Sequence, residues 1–218
     1  SVTSIDVGNN NIGKAASLEL LAAMKGKNMV TIGMAGCSLG VEGSKVVAEM
    51  ISVMASLTSI NLSYNNPTNY GRDMTGIKAI ADALVEASIT SVGKDGLNLK
   101  DNYFGPEGWG AIFAAICSSQ VSKITSIDAS GEGIGPEGAK LIGQALGNSV
   151  NPSLTSINLK DNFLGPEGAK ALAPALRDSP SLTSIDLSLN TLGSEGAKAL
   201  APAIRDSASI TSIDLSAN

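Results

Sequence analysis

The chain has 218 residues, 43% hydrophobic and 16% charged, with a formal net charge of −5 at pH 7. That is apolar matter enough for a sizeable core and excludes a disordered chain. No Lys/Arg cluster exceeds two neighbours, which argues against nucleic acid as a main partner; the lack of any histidine excludes Ser-His-Asp and Cys-His sites and His-ligated metals; and no apolar run reaches the roughly 18 residues of a membrane span.

One phrase recurs along the chain: Ser-Leu-Thr-Ser-Ile-Asn-Leu-Lys at 153–160, Ser-Leu-Thr-Ser-Ile-Asp-Leu-Ser at 181–188 and Ser-Ile-Thr-Ser-Ile-Asp-Leu-Ser at 209–216. Aligned on L-x-x-L-x-L-x-x-N-x-L, eight units begin at Val2, Met29, Leu57, Lys94, Ile124, Leu154, Leu182 and Ile210. The phrase alternates with period two, which predicts a short strand. Behind it the period changes. Leu164, Gly168, Leu172 and Leu176, then Leu192, Gly196, Leu200 and Ile204, stand four apart, which predicts a helix. Gly165-Pro166-Glu167 places Pro in the first helical turn and an acid beside it, both favourable there. Each unit is therefore a strand, a turn and a helix, and stacking them in register makes one parallel sheet covered by helices on one side.

These residues resemble leucine-rich repeats of the ribonuclease-inhibitor-like class, over essentially the whole of residues 1–218. The resemblance implies an α/β leucine-rich-repeat solenoid, a horseshoe with its parallel sheet concave and its helices convex. It also implies use as a protein-binding scaffold, with Ran GTPase-activating proteins among the relatives.

The units differ in informative places. The template asparagine column reads Asn10, Cys37, Asn65, Asn102, Glu132, Asn162, Asn190 and Asn218. An amide there can both donate to and accept from the turn backbone. A carboxylate cannot donate, so the turn from Gly131 to Gly135 is expected to let Glu132 swing to solvent. Unit three carries about five extra residues in its turn, 66–75. Unit four carries about five more ahead of its strand, between Ile89 and Leu97. Six of the seven aromatic residues fall at 64–113 in these two units. Among them, Trp109 and Phe113 line up with Cys117 at helical spacing and compete between surface anchors and fillers of a gap between helices.

In unit five, Gly133-Ile134-Gly135-Pro136-Glu137-Gly138 fits the dinucleotide pattern G-x-G-x-x-G. The same turn returns at 163–168 without its first glycine, so it reads as the repeat's own turn. In units six and seven, Pro174 and Pro202 stand inside the helices, where a kink or a short last turn is expected. Unit eight stops at its template asparagine with no helix behind it. Residues 1–218 are therefore read as a single domain of about eight repeats within a longer chain, because solenoid ends need polar caps.

Two readings of function follow. Asp6, Asn61, Asn98, Asp128, Asn158, Asp186 and Asp214 are expected outward on the concave face, as a solvated polar ladder rather than paired catalytic acids. Tyr64, Tyr70, Arg72 and Met74, then Tyr103 and Trp109, are the candidate partner-binding residues. The chain is accordingly read as a non-catalytic scaffold binding another protein, with no cofactor and no metal. The alternative is a GTPase-activating regulator of a small GTPase. The two cysteines, eighty residues apart, form no disulfide framework or zinc site and suit the cytoplasm or another reducing compartment. Asn61-Leu62-Ser63 fits a glycosylation sequon but lies inside a predicted strand.

Overall fold

The computed structural model describes residues 2–218; Ser1, where the first strand phrase begins, lies outside them. Two compact units are formed, Ser1–Phe104 with Val121–Ile124, and Gly105–Gln120 with Thr125–Asn218. Each layers parallel strands against helices.

The first unit runs β1 (Ser4–Asp6), α1 (Gly13–Met24), β2 (Thr31–Gly33), α2 (Gly40–Val53), β3 (Ser59–Asn61), α3 (Thr75–Leu84), β4 (Ser91–Val92) and β5 (Leu97–Asn98). The second runs α4 (Gly105–Cys117), β6 (Ser126–Asp128), α5 (Gly135–Gly147), β7 (Ser156–Asn158), α6 (Gly165–Asp178), β8 (Ser184–Asp186), α7 (Gly193–Asp206) and β9 (Ser212–Asp214). Strand register follows the repeat: Ile5, Ile32 and Ile60 align in the first unit, and Ile127, Ile157, Ile185 and Ile213 in the second. These isoleucines point inward, those of the inner strands fully buried. Their Ser and Asp/Asn neighbours on either side keep contact with water. That division is the period-two reading made physical.

The turns after the strands hold each unit together. Asn162 Oδ1 accepts the N–H groups of Glu132 (3.0 Å) and Ile134 (3.2 Å), while its Nδ2 donates to the carbonyls of Ala129, Leu159 and Lys160. Asn65, Asn102, Asn190 and Asn218 repeat this arrangement, each reaching back onto the preceding turn. The residues on both sides of the ladder position take left-handed backbone: Tyr64 and Asn66, Asp101 and Tyr103, Asp161 and Phe163, Leu189 and Thr191. At Glu132 those neighbours are Gly131 and Gly133, for which the conformation is free of strain. This accounts for the G-x-G-x-x-G pattern, since Gly133 and Gly135 occupy the conformations of Phe163 and Gly165. Glu132 itself is half-buried rather than fully in solvent.

Unit four departs from the template in a defined way. β5 takes the place beside β3, pairing Leu97 with Ile60 and Asn98 with Asn61. β4 pairs with β5 through Val92 and Leu97. The extra residues form a tight turn closed by Gly93 N–H to the Leu97 carbonyl (2.8 Å) and Gly96 N–H to the Gly93 carbonyl (3.2 Å). A Cβ at Gly96 would be driven into the Ser91 carbonyl oxygen. The helices with internal prolines are not shortened: α6 and α7 continue past Pro174 and Pro202 to Asp178 and Asp206. Both prolines lie on the exposed side, where water can hydrate the carbonyl each leaves without a partner.

Replacing Asn162 by Ala leaves two N–H groups, one buried and one part-buried, and three carbonyls without this partner and is expected to cost about 2–4 kcal/mol. Gly96→Ala is expected to cost about 1–3 kcal/mol by overpacking against backbone. Urea denaturation of each variant measures both; an Asn162→Ala protein as stable as the parent would remove the ladder from its central place.

Candidate interaction surface

The outward Asp/Asn column is engaged locally. Asp6, Asn61, Asn98, Asp128, Asn158, Asp186 and Asp214 each accept, through Oδ1, the N–H two residues on, at 2.8–3.1 Å. These are Asx turns that end the strand after three residues. Ser63 and Ser188 add their hydroxyls to the same oxygens of Asn61 and Asp186. The Ser216 N–H, together with its hydroxyl, holds the Asp214 carboxyl below its usual range. Gly33 interrupts the column, and the Asp6 side chain lies over it. The sequence reading missed this turn-closing role; the signal was present in the Asp or Asn that recurs at the last strand position of nearly every rung.

A second feature is aromatic and lies wholly within the first unit. Tyr64, Tyr70 and Tyr103 are the chain's three tyrosines. They are 60%, 69% and 68% exposed. The rings of Tyr70 and Tyr103 touch, with centroids 6.0 Å apart and planes at 39°. The Tyr64 phenol donates to Asp101, which lies in the same turn as Tyr103, and this bond pushes its pKa up. Tyr64 and Tyr103 are exposed because each flanks a ladder asparagine in the left-handed conformation.

The 66–75 insertion brings Tyr70 to this place. Thr68, fully buried, donates to the Tyr103 carbonyl (3.3 Å) and accepts the Gly71 N–H (3.0 Å). Asn66 Oδ1 accepts the Tyr70 N–H at 2.7 Å, and the Thr68 carbonyl accepts the Asp73 N–H. Asp73 then accepts both the N–H and the hydroxyl of Thr75 at the start of α3, which holds its carboxyl below the usual range. The loop is thus an ordered platform. Arg72 is exposed on it and Met74 half-covered.

Trp109 does not belong to this surface. It is 1% exposed, and Phe113 and Cys117 beside it on α4 are also buried. All three are covered side chains of α4, at the positions where repeat six has Ala169, Ala173 and Arg177. Burial pushes the Cys117 thiol up to about 11, so it is a poor nucleophile. Cys37 is buried and free as well. Among the described residues no cluster of His, Cys, Asp or Glu suits a metal ion, and no helix is long and apolar enough to cross a membrane.

Short parallel strands, one inward aliphatic residue on each rung, an asparagine-locked turn and a helix define an α/β leucine-rich-repeat solenoid. The family model for the leucine-rich repeat matches residues 150–173 and 178–201. No curated protein matches the chain in sequence. Among solved structures, the chain is similar to the leucine-rich repeat-containing protein LegL7 from Legionella pneumophila, at 21% identity and a TM-score of 0.39, covering 97% of this chain and 82% of that one. It is also similar to a chain of the Rad7 and Elc1 complex in yeast, at 12% identity and a TM-score of 0.36, covering 97% of this chain and 62% of that one.

The Tyr64–Asp101 bond gives a direct prediction. A raised phenol pKa means that the bond's contribution is complete below pH 10 and is lost as pH rises through the folded value. In an absorbance titration of the folded protein, the Tyr64 phenol is expected to ionise above the ordinary phenol range. Asp101→Asn is expected to bring it back toward about 10.

Proposed function

We propose that the chain is a non-catalytic protein-binding scaffold of the ribonuclease-inhibitor-like class, working in a reducing intracellular compartment. Its partner is another protein, seated on the tyrosine platform of the first unit. The observation that carries this reading is the gathering of all three tyrosines on one exposed surface, two of them in ring contact. Tyrosine supplies large contact area at small entropic cost and is a usual interface anchor. Arg72 and Met74 border the patch and extend it with a guanidinium and a flexible apolar group. The platform is rigid before binding, because Thr68 and Asn66 tie its loop down, so little ordering cost is left to the encounter.

The Asp/Asn column supplies a polar strip that sets register for the partner rather than most of the affinity. Its oxygens are already engaged in Asx turns, and the chain holds no histidine to activate its serine hydroxyls, which supports a non-catalytic role.

Changing Tyr70 or Arg72 to Ala is expected to weaken the complex by about 1–3 kcal/mol each while leaving thermal stability nearly unchanged. The test compares proteins co-purifying with the parent and with each variant, followed by titration calorimetry on whichever partner is lost. Full binding after replacement of the 66–75 loop by the short turn of unit six would move the partner to another surface.

A further inference from the structure

We propose that Tyr70 and Tyr103 form an oxidative cross-linking site, at which one-electron oxidation joins the two rings into an intrachain dityrosine. Three observations carry it. The rings lie 6.0 Å apart by their centroids, with their planes tilted at 39°. Both are about two-thirds exposed, open to a bulky oxidant and free to make the small rotation that coupling requires. Their backbones are held together from beneath. Thr68 donates to the Tyr103 carbonyl and accepts the Gly71 N–H, and Asn66 accepts the Tyr70 N–H. Coupling of groups held in this way is favoured over coupling between molecules at dilute concentration.

The chemistry balances with an oxidant of the haem-peroxidase type acting on hydrogen peroxide. Each phenol gives up one electron and its phenolic proton to become a phenoxyl radical. The radicals combine through the ring carbon ortho to each oxygen, forming one carbon–carbon bond. The hydrogens on those two carbons then move to the phenol oxygens and restore both aromatic rings. Two tyrosines and one hydrogen peroxide yield one dityrosine and two waters.

Tyr64 is the third tyrosine of the patch but has a different place. Its hydroxyl is engaged by Asp101, and no ring contact joins it to either of the others among the described residues. The link would bridge residues thirty-three apart in sequence and fasten the 66–75 loop to the turn after β5. On the scaffold reading above, that fastening also fixes the shape of the partner surface. The cross-link itself does not depend on that reading.

The test treats the purified full chain, at low micromolar concentration, with a haem peroxidase and hydrogen peroxide. It reads dityrosine fluorescence, intact mass of the monomer and the linked peptide. The expected result is a monomer lighter by two hydrogen atoms, with residues 70 and 103 joined. Tyr64→Phe is expected to keep the product, whereas Tyr70→Phe and Tyr103→Phe each lose it by about tenfold or more. Each change removes one hydroxyl from an exposed side chain, at Tyr64 together with its bond to Asp101, and circular dichroism checks that the fold is kept. A product joining different chains, a link that includes Tyr64, or no dityrosine where free tyrosine in the same mixture couples, would overturn the proposal. Weakened partner binding in these variants bears on the scaffold reading alone.

Discussion

The side-chain amide of the ladder asparagine is the interaction on which the repeat depends. The strands are only three residues long in most rungs, too short to hold a sheet by their own ladders. Each must be followed by a turn whose backbone groups are inside the molecule and whose ladder residue has left-handed neighbours on both sides. Asn162 meets five such groups with one side chain. At about 1 kcal/mol net for each bond, that outweighs two left-handed residues at about 1–2 kcal/mol each. Only an amide has both the acceptor and the two donors this requires. Because the amide reaches the turn of the preceding repeat as well as its own, it joins one rung to the next.

The two substitutions in the column show what can be relaxed. Cys37 keeps the small buried volume and gives two long thiol contacts, 3.6 Å each, to the carbonyls of Val7 and Ala35. Its own carbonyl is taken by the Ser17 hydroxyl and its N–H by Asn65, so a serine from α1 and the following asparagine make up part of the loss. Glu132 cannot donate, yet its N–H is still accepted by Asn162, and glycines on either side remove the backbone strain. In both places the neighbouring rung supports the defect.

The same constraint explains where variation is allowed. Once the amide has set the turn, the side chains beside it point to solvent and carry none of its hydrogen bonds. Tyr64, Tyr103, Phe163 and Leu189 all occupy such positions and are all exposed. A recognition surface can therefore change by substitution at these positions without altering the fold. In the first unit the 66–75 insertion adds a third tyrosine to two of them. Rigidity and variability lie one residue apart.

How much of this was legible in the sequence depended on the range of the interaction. Strand phase, repeat length, the asparagine column and helix starts are set by residues within one unit, and the repetition of near-identical units exposed them. The exposure of Tyr64 followed from the same local pattern, and that of Tyr70 from its place in an inserted loop. The Asp/Asn column was placed correctly in phase but without its turn-closing bonds, which depend on where each strand stops. Trp109 was left between surface and interior, because a helix stripe of Trp, Phe and Cys reads the same whether it faces water or the inner side of a unit; only the packing of α4 shows that it is interior. The meeting of Tyr70 with Tyr103 was beyond sequence reasoning, since it depends on the path of a loop with no counterpart in the other repeats. The sequence by itself determined the repeat, because its instructions are local and restated in every unit. Tertiary structure alone decided which aromatic residues became surface and which became core, because that choice is made by contacts between residues far apart in the chain.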